Sequence, residues 1–247
     1  MFLPTTIKEV RERGWDQLDV ILFSGDAYID HPAFGAAVVG RLLEAEGYRV
    51  AIVPQPNWRD DLRDFTKLGV PRLFFGVSGG AMDSMVNHYT ANLRLRHDDA
   101  YTPGGKAGFR PDHAVTVYSQ ILKRLYPHVP VVVGGIEASL RRLTHYDYWS
   151  DALKPSVLAD SGADLLIYGM GERVVQEVAR AMRNGYNAKL LRKIRQVAFF
   201  SDESYVSRLD PATTIRLNSY EECVRDKAAF GENFTVIETQ SNLMNPE

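Results

Sequence analysis

The chain has 247 residues, 45% of them hydrophobic and 24% charged, and a net charge of −2. That length allows one large α/β domain, or a domain plus an extension, and the charge carries no specific nucleic-acid signal and no demand for an anionic membrane. The single cysteine, Cys223, excludes an internal disulfide and any cysteine-held metal or iron–sulfur centre within these residues.

The first residues lack the apolar core of a signal peptide, and no apolar run approaches the roughly 18 residues that suggest a membrane span. The expectation is therefore a soluble, cytoplasmic protein with no membrane partner. Thr5-Thr6 followed by Glu9 predicts a short capped helix that ends at Gly14. An apolar run at Leu18–Phe23, a polar loop, a helix-period segment at Phe34–Glu46 closed by Gly47, and a second apolar run at Val50–Val53 together read as one βαβ unit.

The pattern then repeats. Asp60–Leu68 reads as a short helix, Arg72–Val77 as a strand, and Met82–Leu93 as a helix. Arg96–Asp112 is polar and rich in Gly and Pro, too long for a routine connection, and so is expected to be functional or mobile. His113–Leu125 reads as a helix, Pro130–Val133 as a strand, Ser156–Asp160 as a short helix, Asp164–Tyr168 as a strand and Val174–Arg183 as a helix. Leu190–Val197 and Tyr220–Phe230 are helical candidates, and Phe234–Glu238 is a strand candidate. Five apolar runs without alternation, interleaved with helices, predict a doubly wound parallel α/β sheet buried on both faces. Residues 1–185 are expected to form this Rossmann-like module, and residues 186–247 a C-terminal extension.

Four strand ends carry polar or glycine-rich loops: Gly25-Asp26, Gly76–Gly80, Gly134–Glu137 and Gly169–Arg173. Side by side at the carboxyl edge of a sheet they would make one crevice, where glycines admit close backbone approach and helix amino ends supply partial positive charge. The candidate cofactor-binding residues are Gly25, Asp26, His31, Ser78, Gly79, Gly134, Gly135, Glu137, Gly171 and Glu172. Tight strand-to-helix turns account for the glycines equally well, and pairing with Arg141, Arg142 or Arg173 would account for Glu137 and Glu172. A dinucleotide fingerprint, a P-loop and a G-x-S-x-G elbow are all absent. Ser78 at a sharp turn, with Asp26 and His31, leaves a hydrolase or transferase as a minor alternative, and a stand-alone small-molecule-binding module as another.

LDVILFSGDAYIDHPAFG, PVVVGGIEASLRR and DLLIYGMGERVVQEVA, in that order, closely resemble the N-terminal region of the YgiQ-type radical SAM proteins. The resemblance covers essentially the whole chain. It implies a fold similar to the cobalamin-binding domains that precede a radical SAM barrel. It further implies a downstream barrel of the same chain, in which a C-x-x-x-C-x-x-C motif holds a 4Fe-4S cluster that cleaves S-adenosylmethionine. Cys223 does not match that motif, so no cluster or S-adenosylmethionine residue carries over to these positions.

Cobalamin-binding domains show D-x-H-x-x-G after their first strand. Here Asp30 and His31 are adjacent and Gly35 lies four residues on. The serine turn at Ser78, the glycine pair Gly134-Gly135 and the Gly169-Met170-Gly171-Glu172 segment are closer to the pattern. Cobalamin bound without His31, or a lost cobalamin site, both stay open. The reading implied is the N-terminal module of a radical SAM enzyme, inactive alone, which covers the barrel and binds cofactor or an unknown small-molecule or macromolecular substrate.

Overall fold

Val, Ile, Leu and Phe dominate the apolar runs because β-branched and aromatic side chains pack well on a pleated surface, and the turn residues around them stop each run after four or five positions. The computed structural model describes residues 2–28, 34–185 and 191–242. Its strands are β1 (Val20–Ser24), β2 (Val50–Pro54), β3 (Phe74–Ser78), β4 (Val131–Gly134), β5 (His145–Asp147), β6 (Ala152–Lys154), β7 (Leu165–Ile167) and β8 (Val197–Ala198). The first eight α-helices are α1 (Ile7–Glu12), α2 (Gly35–Ala45), α3 (Arg63–Thr66), α4 (Ser84–His88), α5 (Ala114–Leu125), α6 (Gly135–Leu140), α7 (Val157–Ser161) and α8 (Glu172–Arg183).

The main sheet runs β2-β1-β3-β4-β7-β8 and is parallel apart from β8, which pairs antiparallel with β7. Its register sets Ser24 opposite both Pro54 and Ser78. The chain leaves β1 toward one edge to make β2 and returns past it to make β3, so the switch point lies between β1 and β3. On one face α2 and α8 cover Leu22, Ile52, Phe74 and Leu165. On the other, α1, α3, α5 and α7 cover Phe23, Phe75, Val131 and Leu166. The fold is the doubly wound α/β sheet that the alternating runs predict.

Three expectations are corrected. The helix expected over Met82–Leu93 stops at His88: Tyr89 is extended, and Arg96 N–H bonds back to the His88 carbonyl at 2.7 Å. Bonds from the His88 ring and the Tyr89 hydroxyl to Asp112 hold this reversal in place of another helical turn. The strand expected at Phe234–Glu238 lies inside a helix, Lys227–Ser241. Asp226 caps that helix, and the Thr235 and Thr239 hydroxyls bond carbonyls four residues back. The helical candidate Leu190–Val197 ends instead in β8, whose residues complete the sheet edge, and residues 186–190 lie outside the described residues. No helix among the described residues is long and apolar enough to cross a membrane.

Two compact units result. The first comprises residues 1–142 and 157–200 and holds the sheet. It continues past residue 185 because β8 belongs to its sheet. The second comprises residues 143–156 and 201–247. It consists of the β5–β6 hairpin and helices that include Glu203–Val206, Tyr220–Arg225 and Lys227–Ser241.

Candidate functional site

At the carboxyl edge of the sheet a cavity of about 580 Å³ opens between the amino-terminal halves of α2 and α8. The two helices are tied together at their other ends, where Arg180 Nε donates to Glu46 at 2.9 Å and the Arg183 guanidinium lies 3.6 Å over the Tyr48 ring. Leu22, Phe74, Gly76, Val132 and Ile167 form an apolar floor. Phe34 and Gly171 stand at the N-cap positions of α2 and α8, and neither supplies a side-chain cap. Among the described residues, the first main-chain N–H groups of the two helices thus have no side-chain cap from the N-cap position.

Beside the cavity the strand ends are joined by a buried polar layer. Arg110, fully buried, comes from the Gly/Pro-rich connection. Its Nη2 lies 2.9 Å from Asp26 Oδ1 and 3.1 Å from Asp99 Oδ2, and its Nη1 donates to the Gly79 carbonyl at 3.0 Å. Asp26 also accepts from Ala81 N–H at 2.6 Å. The connection is held down by Ala27 N–H to the Tyr101 carbonyl at 3.0 Å, and by Gln55 Nε2 to Thr102 Oγ1 at 2.8 Å. One guanidinium faces two buried carboxylates. Burial raises the Asp26 carboxyl above its ordinary range against the pull of Arg110, and Asp99 adds to the rise.

Glu137, also buried, uses its two carboxylate oxygens to accept Ser84 N–H and Val115 N–H, both at 2.9 Å. It therefore closes the starts of α4 and α5. Asp83 caps α4 through Met85 and Val86 N–H and pairs with Arg141. Tyr118 is buried next to this layer, and its burial pushes the phenol well above its ordinary range.

Six of the ten expected residues line the cavity: Asp26, Ser78, Gly134, Gly135, Gly171 and Glu172. Ser78 Oγ accepts from Gly80 N–H at 3.2 Å. Gly25, Gly79 and Glu137 stand behind the wall. A side chain on Gly25 would collide with the Gly79 main chain, and one on Gly79 with the Glu137 carboxyl. These two glycines let β1, β3 and α6 approach. His31 and its neighbour Asp30 lie outside the described residues. Of the arginines considered as partners, Arg141 pairs with Asp83 and reaches only the main-chain carbonyl of Glu137, while Arg142 bonds the Ser139 carbonyl and Arg173 pairs with Glu177.

Arg110 and Asp99 were not among the candidates. The signal available was the length of the connection that carries them. Among the described residues no group of three or more His, Cys, Asp or Glu could hold a metal ion.

A family model described as Radical SAM N-terminal matches residues 2–247. This chain belongs to the radical SAM N-terminal family. Among its relatives are UPF0313 proteins of Porphyromonas gingivalis, 63% identical over 98% of this chain, and of Bacteroides thetaiotaomicron, 60% identical over 98%. The chain spans 38% and 40% of the length of those two relatives. Among solved structures, the radical S-adenosylmethionine methyltransferase TsrM of Kitasatospora setae, with tryptophan substrate and a SAM analog bound, is 19% identical. It covers 74% of this chain and 28% of its own, with a TM-score of 0.47. The same enzyme with cobalamin and a [4Fe-4S] cluster bound gives a TM-score of 0.48.

Proposed function

We propose that this radical SAM N-terminal module binds an organic cofactor or substrate between α2 and α8 and presents it to a radical SAM barrel in the rest of the full-length protein. The observation that carries the reading is the position of the cavity, at the carboxyl edge of a parallel sheet with an apolar floor and two helix starts without side-chain caps at its rim. On this reading a 4Fe-4S cluster and S-adenosylmethionine belong to the remainder, since this chain has one cysteine and three are needed for the cluster motif. The module alone is then inactive.

Cobalamin is the finer candidate, and when bound it supplies a cobalt centre for alkyl transfer. The residues described fit a flat organic portion of such a molecule. Gly76 leaves the floor open, and Gly134 and Gly135 bring backbone to the wall. The described lining includes no imidazole or thiol, so these residues would hold the cofactor by packing and main-chain hydrogen bonds.

Titration with hydroxocobalamin, followed by equilibrium dialysis and by amide exchange of α2 and α8, tests the reading. Saturable retention of cobalamin on equilibrium dialysis, with slower exchange at both helix starts, is expected. No retention of cobalamin on equilibrium dialysis at high concentration would remove cobalamin. If, in addition, full-length protein with its substrate shows no slowing at α2 and α8, the cavity reading itself falls.

A further inference from the structure

The second unit is locally well specified yet has almost nothing buried. Ser219 and Glu222 form a reciprocal capping box at the start of helix Tyr220–Arg225, and Asp226 caps helix Lys227–Ser241. Among its described residues only Asp147, Cys223 and Asn233 are buried, and two of those are polar. Asn233 Nδ2 bonds Cys223 Sγ at 3.3 Å and the Asn218 carbonyl at 2.9 Å, so a polar contact occupies the place of an apolar core. Phe230, Phe234 and Ile237 recur at helical spacing on one face of helix Lys227–Ser241; Phe230 and Ile237 are half-buried and Phe234 is 61% exposed. Val206, Ile215 and Val224 are more than half exposed as well.

Capping fixes where helices start, but helical stability in proteins comes mainly from packing an apolar face. A unit that buries so little apolar surface does not offset the conformational entropy of ordering it. We infer that the exposed face of helix Lys227–Ser241, centred on Phe234, is a docking surface for the part of the full-length polypeptide that follows this N-terminal region. The relatives supply the occupant: this chain accounts for 38–40% of their length, within a family whose matched region is described as N-terminal. The inference rests on the proposed reading only in taking that remainder as the module's working partner.

The test compares hydrogen exchange in the full-length protein and in the 247-residue chain. Amides of Lys227–Ser241 are expected to exchange at least about tenfold more slowly in the full-length protein. Phe234→Ser in the full-length protein should abolish that slowing, Phe234→Leu should retain it, and β1 and β3 should be unaffected in both. Equal exchange in the two proteins would overturn the inference. So would slowing that appears in the 247-residue chain as its concentration rises, because the face would then pair with a second copy. Ligand-dependent changes at α2 and α8 report on the cavity alone, so the two readings fail separately.

Discussion

Arg110 Nη2 sits 2.9 Å from Asp26 Oδ1 with both side chains buried, and this contact joins the Gly/Pro-rich connection to the end of the first strand. Replacing the arginine with an apolar side chain leaves two carboxylates, Asp26 and Asp99, without their cation. Removing one partner of a buried ion pair costs about 3–5 kcal/mol. Arg110→Met is therefore expected to lower unfolding stability by about that amount, as measured by urea denaturation.

The same cluster should make stability depend on pH. Burial raises the Asp26 carboxyl above the ordinary 3.8, so the folded state holds this proton more tightly than the unfolded chain does. The stabilisation is full below 3.8 and is lost as pH rises through the raised folded value. Asp26→Asn removes this titration. The stability of the native protein relative to Asp26→Asn should fall as pH rises from 3.8 and then level off, in paired urea denaturations. A flat difference would show that the folded state does not raise this carboxyl.

Glu137 should act through the helices it holds. Hydrogen bonds to a charged acceptor contribute about 1.5–3 kcal/mol each, and Glu137 accepts from two buried amides. Glu137→Ala is expected to destabilise the protein by about 3 kcal/mol or more. Amides at Ser84 and Val115 should lose their exchange protection first, with β1 retaining its own.

Gly76 separates cavity volume from folding. A Cβ there would meet the Leu22 Cδ2 at 2.7 Å, and that atom is the far end of a flexible side chain beside the cavity. Gly76→Ala should fold with a stability change below about 1.5 kcal/mol. Its affinity for the cavity ligand should drop, since the floor rises. Thermal unfolding and ligand titration on the same sample check both outcomes.

The βαβ rhythm was legible because its signals are local. Apolar runs such as Val50–Val53 lie between turn residues, and Thr6 and Glu9 announce their helix within four positions. The cavity wall was legible in part for the same reason: Asp26, Ser78, Gly134, Gly135, Gly171 and Glu172 lie at strand ends or in the short turns that lead from them into helices, and they line it. Arg110 was not, because its meaning depends on partners in distant segments, and a charged residue in a polar connection reads by default as solvated. Phe234–Glu238 misled because a short apolar stretch is compatible with strand or helix, and the decision came from Asp226, several residues upstream.

The strand order places a crevice between the ends of β1 and β3, and Arg110 ties its two sides together, through Asp26 beyond β1 and the Gly79 carbonyl beyond β3. The cavity is lined by those same strand ends together with the starts of α2 and α8, and Asp26 belongs to both, so a change at the buried guanidinium would be felt in the cavity wall.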